Sequence, residues 1–223
     1  MNNFEVAVFM ELKALCLMAL DALQVAEQNL IHKREISAKL NAQYAALSPE
    51  EAQTLVAKAQ LENAKLFRNI HSFLSCCGNI SKLIWLNPKS DIDALRERNV
   101  SEERVKEIDR KLEDVRTKLG LVNTSTFHWR ERGLRNHIEH YSVRLFALMA
   151  ETGNMSSYKT CLAKDIDQRS IGTTAKNDMR TFVVDTKEYI FQGEAFDLGQ
   201  MEQDIEGLLK LIDEKDPLRP PLS

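Results

Sequence analysis

Leu47-Ser48-Pro49-Glu50-Glu51 decides how the chain begins to fold. Serine offers an N-cap oxygen, proline suits the first helical position, and glutamate stands where it can return a bond to the cap. A new helix therefore starts at Pro49. On the N-terminal side, Phe9, Leu12, Cys16, Ala19, Leu20, Leu23 and Ala26 recur at three- and four-residue steps, which predicts one helix over about Phe4 to Ala46. On the other side, Leu55, Leu61, Leu66, Ile70, Phe73, Leu74, Ile80, Leu83, Ile84 and Leu86 continue the helical period, with a bend at Gly78 and a stop at Asn87-Pro88. Two long antiparallel helices are the expected start of the molecule.

Further along, Ser101 caps a shorter charged helix that ends at Gly120. Its narrow stripe of Val105, Ile108, Leu112, Val115 and Leu119 predicts a surface helix. Asn123-Thr124-Ser125-Thr126 then caps a fourth helix, expected over Phe127 to Glu151. Residues 154–179 show no sustained period and read as a long ordered loop. Thr181 to Val184 and Tyr189 to Phe191 are β-branched and aromatic, so they predict a β-hairpin closed by Asp185-Thr186-Lys187-Glu188. Asp197, with Gln200 three residues on, caps a last helix with the stripe Leu198, Met201, Ile205, Leu208, Leu209 and Ile212, and Asp216-Pro217 ends it.

The expected fold is thus mainly α: a bundle of long antiparallel helices with a small C-terminal β-hairpin and a final helix. The expected organisation is a helical bundle over 1–153, a loop, hairpin and helix packed on it over 154–216, and a loose tail over 217–223.

Composition bounds the function. The 223 residues are 43% apolar and 28% charged, with eight Gly and five Pro, which suits long helices in a globular protein. A net charge of −3 gives no global basic field for nucleic acid. Cys16, Cys76, Cys77 and Cys161 form no CxxC pair, so zinc is disfavoured and reduced, half-buried thiols are expected. The apolar stretch Val6 to Leu23 is broken by Glu11, Lys13 and Asp21, as neither a signal peptide nor a membrane span would be. A bacterial cytoplasmic protein without membrane contact is the expectation. No glycine-rich phosphate loop, Gly-x-Ser-x-Gly elbow or His-Glu-x-x-His run occurs, so the common NTPase, hydrolase and metalloprotease classes drop out and no cofactor is expected.

What remains is Gly133-Leu134-Arg135-Asn136-His137-Ile138-Glu139-His140-Tyr141, in the predicted fourth helix. Phe127, Leu134, Ile138, Tyr141, Leu145, Leu148 and Met149 fall on its core face. Arg132, Arg135, Asn136, Glu139 and His140 fall on the other side, together with Trp129, Val143, Phe146 and Ala150. Charges mixed with Trp and Phe predict that this second face is covered, by another part of the chain or by a second subunit. Asn136 and His140 are four apart and reach each other, as do Arg135 and Glu139. Arg135 and His140 diverge by about 140° around the axis, so they meet at one phosphate through the length of the arginine or across two copies. His137 points about 60° away from His140, which argues against a metal site. His32, His71 and His128 stand alone and read as surface or cap residues.

Arg135-Asn136-x-x-x-His140 in a long helix resembles the signature of the HEPN superfamily, helical bundles that pair through their motif helices and whose active members are metal-independent ribonucleases, often toxins or defence effectors. The resemblance implies a homodimer through the motif helix, RNA as a substrate, and a protein partner or antitoxin. It makes His140 the general acid/base, Arg135 the stabiliser of phosphate charge and Asn136 the orienting group. Arg132, Glu139 and Arg144 are the flanking binding candidates. Tyr141 lies on the core face and takes no catalytic role. The residues leave a second reading open: a non-catalytic HEPN-like helical domain that binds a partner protein or a nucleotide, with the polar cluster as a buried structural network.

Overall fold

The computed structural model describes residues 3–85, 90–121, 159–161, 180–191 and 194–215. In chain order these form helices α1 (Asn3–Gln43), α2 (Pro49–Ile84), α3 (Ser90–Glu97) and α4 (Glu102–Lys118). Strands β1 (Lys159–Cys161), β2 (Arg180–Val183), β3 (Glu188–Phe191) and β4 (Glu194–Asp197) follow, and helix α5 (Leu198–Lys215) comes last. The described part is mainly helical, with one small sheet.

Each helix start that the sequence announces within the described residues is made by the announced group. At α2 the Glu51 N–H donates to Ser48 Oγ at 3.3 Å and the Ser48 N–H donates to Glu51 Oε2 at 2.9 Å, a complete capping box behind Pro49. Ser101 Oγ accepts from the Arg104 N–H at 3.3 Å, and Asp197 Oδ1 from the Gln200 N–H at 2.9 Å. The end of α4 is equally local. Gly120 has φ +69°, its N–H reaches the Thr117 carbonyl at 3.1 Å, and the Leu121 N–H reaches back to Arg116 at 2.8 Å. This Schellman turn needs a left-handed residue at its corner, where a side chain would be strained. Helix α3, which the sequence reading passes over, ends in the same way with Asn99 at φ 60° in the glycine's place. Its two turns have too few apolar positions for a period to show.

The core is continuous from α1 and α2 through α4 to the sheet and α5. Leu12, Cys16, Ala19 and Ala26 of α1 face Leu66, Ile70, Phe73, Ile80 and Ile84 of α2, all of them almost fully enclosed. Each large side chain there contributes about 1.5–3 kcal/mol by leaving water. Helix α4 turns its stripe inward: Val105, Leu112 and Val115 are buried while the opposite face is charged and exposed. Helix α5 lies against α1 with Leu198, Met201, Ile205, Leu208 and Ile212 buried. The ion pair of Lys13 with Asp213 at 2.6 Å, and that of Glu27 at 2.6 Å with Lys187, whose carbonyl accepts the Leu198 N–H at the start of α5, show that α5 runs antiparallel to α1.

The sheet is larger than the expected hairpin. It has four strands in the order β1-β2-β3-β4, with β1 parallel to β2 and the other two pairs antiparallel. Lys159–Cys161 is therefore a strand inside the stretch expected to be loop; three residues are too short to show an alternation. The hairpin is where it was expected, but one residue displaced: Val183 pairs with Glu188, so 184–187 make the turn, with Lys187 at φ 52°. Arg180 enters β2 opposite Phe191. Helix α2 ends at Ile84 with Trp85 as its cap, before the proline expected to stop it. The predicted fourth helix and the C-terminal tail lie outside the described residues.

Candidate functional site

Arg132, Arg135, Asn136, Glu139, His140 and Arg144 all fall outside the described residues. The structure does fix both edges of the segment that carries them. On the near side, Leu121 is buried in the core just past the Schellman turn. Two cross-links hold that corner. The Arg116 guanidinium donates to the Ile84 carbonyl at 2.9 Å, tying the end of α4 to the end of α2. The Lys118 ammonium meets Glu5 Oε1 at 2.6 Å, tying it to the start of α1. On the far side the chain resumes in β1, paired with the second strand of the sheet.

Glu5 is 4% exposed, an unusual place for a carboxylate, and Lys118 supplies the opposite charge that its burial demands. The sequence carries the signal: Glu5 falls on the α1 stripe with Val8, Phe9 and Leu12, where an apolar residue belongs.

A second polar group crosses from α1 to α2. The Asn69 amide donates to Asn29 Oδ1 at 2.8 Å, and Asn29 donates to Glu62 Oε2 at 2.9 Å. The other oxygen of Glu62 takes Lys65 at 2.7 Å. That bond, with help from Asn29 and from the charges of Lys65 and His32, holds the Glu62 carboxyl below the usual carboxylate range against the opposing effect of burial. Lys33 donates to Asn63 Oδ1 at 2.9 Å one turn further out. Here too the clue is a polar residue at a core position, Asn29 beside Ala26 and Leu30, and Asn69 beside Leu66 and Ile70.

Lys187, at the turn of the β2–β3 hairpin, joins three elements. Its ammonium contacts Glu27 of α1 at 2.6 Å and Glu202 of α5 at 3.1 Å, which raises its pKa, the Glu27 bond most strongly. Its carbonyl accepts the N–H of Leu198 at 3.0 Å, so one residue fixes the turn, α1 and the first turn of α5. Each of these clusters sets an acid against a base or an amide. They register one element against another and leave no nucleophile poised.

The histidine reading needs one correction. His71 is half-buried, not a surface residue; burial first, then the positive charge of Arg180, lowers its pKa from 6.5. Arg180 is itself 8% exposed. A neutral imidazole near a guanidinium has the right groups for phosphate chemistry, but Arg180 is buried where β2 begins.

Three of the thiols, Cys16, Cys76 and Cys77, are more deeply buried than expected. All three are reduced and buried. Burial, with the neighbouring Cys76, pushes the Cys16 thiol up to about 12, and burial drives Cys77 well above its ordinary range. Such thiols are poor nucleophiles and poor ligands, because both roles need the thiolate. Among the described residues no group of three or more His, Cys, Asp or Glu is placed to hold a metal ion. Among them, too, no helix is long and apolar enough to cross a membrane.

Comparison of the chain with family models, with curated proteins and with solved structures finds no match.

Proposed function

We propose that this chain is a HEPN-like, metal-independent ribonuclease of toxin or defence type, acting in the cytoplasm as a homodimer through its motif helix. The observation that carries this reading is the spacing Arg135-Asn136-x-x-x-His140 in a segment of helical period, within a chain that opens on two long antiparallel helices. In this chemistry His140 takes the proton of a ribose 2'-hydroxyl as its oxygen attacks phosphorus. A proton returned to the departing 5'-oxygen completes cleavage and leaves a cyclic phosphate. Arg135 offsets the charge that grows on the phosphate oxygens, Asn136 orients the imidazole, and Arg132, Glu139 and Arg144 line the approach.

The test is cleavage of single-stranded RNA in EDTA by the purified protein. His140→Ala and Arg135→Ala should each slow it by about 100-fold or more with an unchanged circular dichroism spectrum. Growth arrest on expression, relieved by His140→Ala, is the expected companion result. An intact wild-type protein that leaves every single-stranded RNA uncut overturns the reading.

Two observations favour a second function, a non-catalytic helical domain that binds a protein partner or a nucleotide. Net charge is −3, and the polar clusters detailed above, such as Glu5 with Lys118 and Asn29 with Asn69, act as internal cross-links. On that reading the 135–140 cluster is one more of them. His140→Ala then lowers the melting temperature or dissociates an oligomer, with no activity to lose.

A further inference from the structure

We draw no further inference here: the strongest candidate, the exposed apolar side chains Met10, Leu17, Ile31, Val56 and Leu61 along the outer faces of α1 and α2, carries nothing because nothing in the structure shows what covers them.

Discussion

Helices α1 and α2 lie side by side, yet their two halves are joined by different chemistry. From Val8 to Leu30, and from Leu66 to Ile84, the contact is a dense apolar core that α4, the sheet and α5 close over. Between residues 31 and 65 no side chain of either helix is buried. This outer part, a two-helix arm roughly 20 Å long at 1.5 Å per residue, has Ile36, Leu40, Leu55 and Ala59 half-covered along its seam and Tyr44, Val56 and Leu61 open to solvent. Helix α5 explains where the change falls. Its ion pairs reach α1 at Lys13 and, through Lys187 of the β2–β3 turn packed on its start, at Glu27, so cover stops about where burial stops. Helical period alone does not make a core. A stripe becomes one only where a third element lies over it.

Cutting a large side chain out of the inner half is the most damaging test of this contrast. Phe73 is fully enclosed, and Phe73→Ala should cost about 3–5 kcal/mol in urea unfolding, whereas Leu61→Ala on the arm should change the midpoint little. Equal losses at the two positions would mean that the arm is covered in solution. The boundary between the halves gives a smaller effect. Asn29→Ala removes a donor and an acceptor from a largely enclosed network and should cost about 1–3 kcal/mol. Replacing both Asn29 and Asn69 by leucine should recover part of that, because no buried amide is then left unsatisfied and Glu62, which loses its Asn29 donor, keeps Lys65. If the double variant is as weak as the single one, the amides hold the helix register in a way apolar packing does not replace.

At the tip of the arm, Ser48→Ala breaks the capping box and should cost about 1 kcal/mol. The loss is local. Amide hydrogen exchange should quicken in residues 31–65 and stay unchanged around Ile70 and Phe73, where opening requires the whole core to come apart. Uniform acceleration through both halves would show that arm and core open as one unit.

The same contrast explains what the sequence makes legible. Caps and stops are written in adjacent residues, so Ser48-Pro49-Glu50-Glu51, Ser101, Gly120 and Asp197 could each be placed nearly to the residue. The apolar stripes of α1, α2 and α5 are long enough for their period to emerge. Strand β1 and helix α3 are not: three and eight residues hold too few repeats, and β1 is paired along the edge of β2, a contact distant in sequence. The candidate site stands differently. Arg135, Asn136 and His140 are singled out by a spacing that resembles a family motif, and whether they form a site depends on what packs beside them, a tertiary property that no local pattern encodes. Among the described residues, polar groups on apolar stripes turned out to be cross-links: Glu5 found Lys118, and Asn29 found Asn69 and Glu62.

His71 supplies the mildest test, and it probes the inner half without removing any of the core. Its folded pKa is lowered from 6.5 by burial and by the charge of Arg180, so the folded protein keeps the imidazole neutral where an unfolded chain would protonate it. Below about pH 6.5 the unfolded state therefore binds more protons, and stability must fall with falling pH until the folded pKa is reached. The carboxyls of Glu51 and Glu62 are also shifted downward, from 4.5, but there it is the charged form that the fold favours, so their contribution is present above that pH and is lost only on further acidification. The two effects occupy different windows. Urea midpoints should thus decline between pH 7 and pH 5.5 in the wild type and stay flatter in His71→Gln, with both proteins losing stability together below about pH 4.5. An unchanged slope in His71→Gln would mean that the imidazole is solvated, and that the sheet packs more loosely on α2 than the enclosed Phe67–Tyr189 contact, with ring centroids 6.4 Å apart, implies.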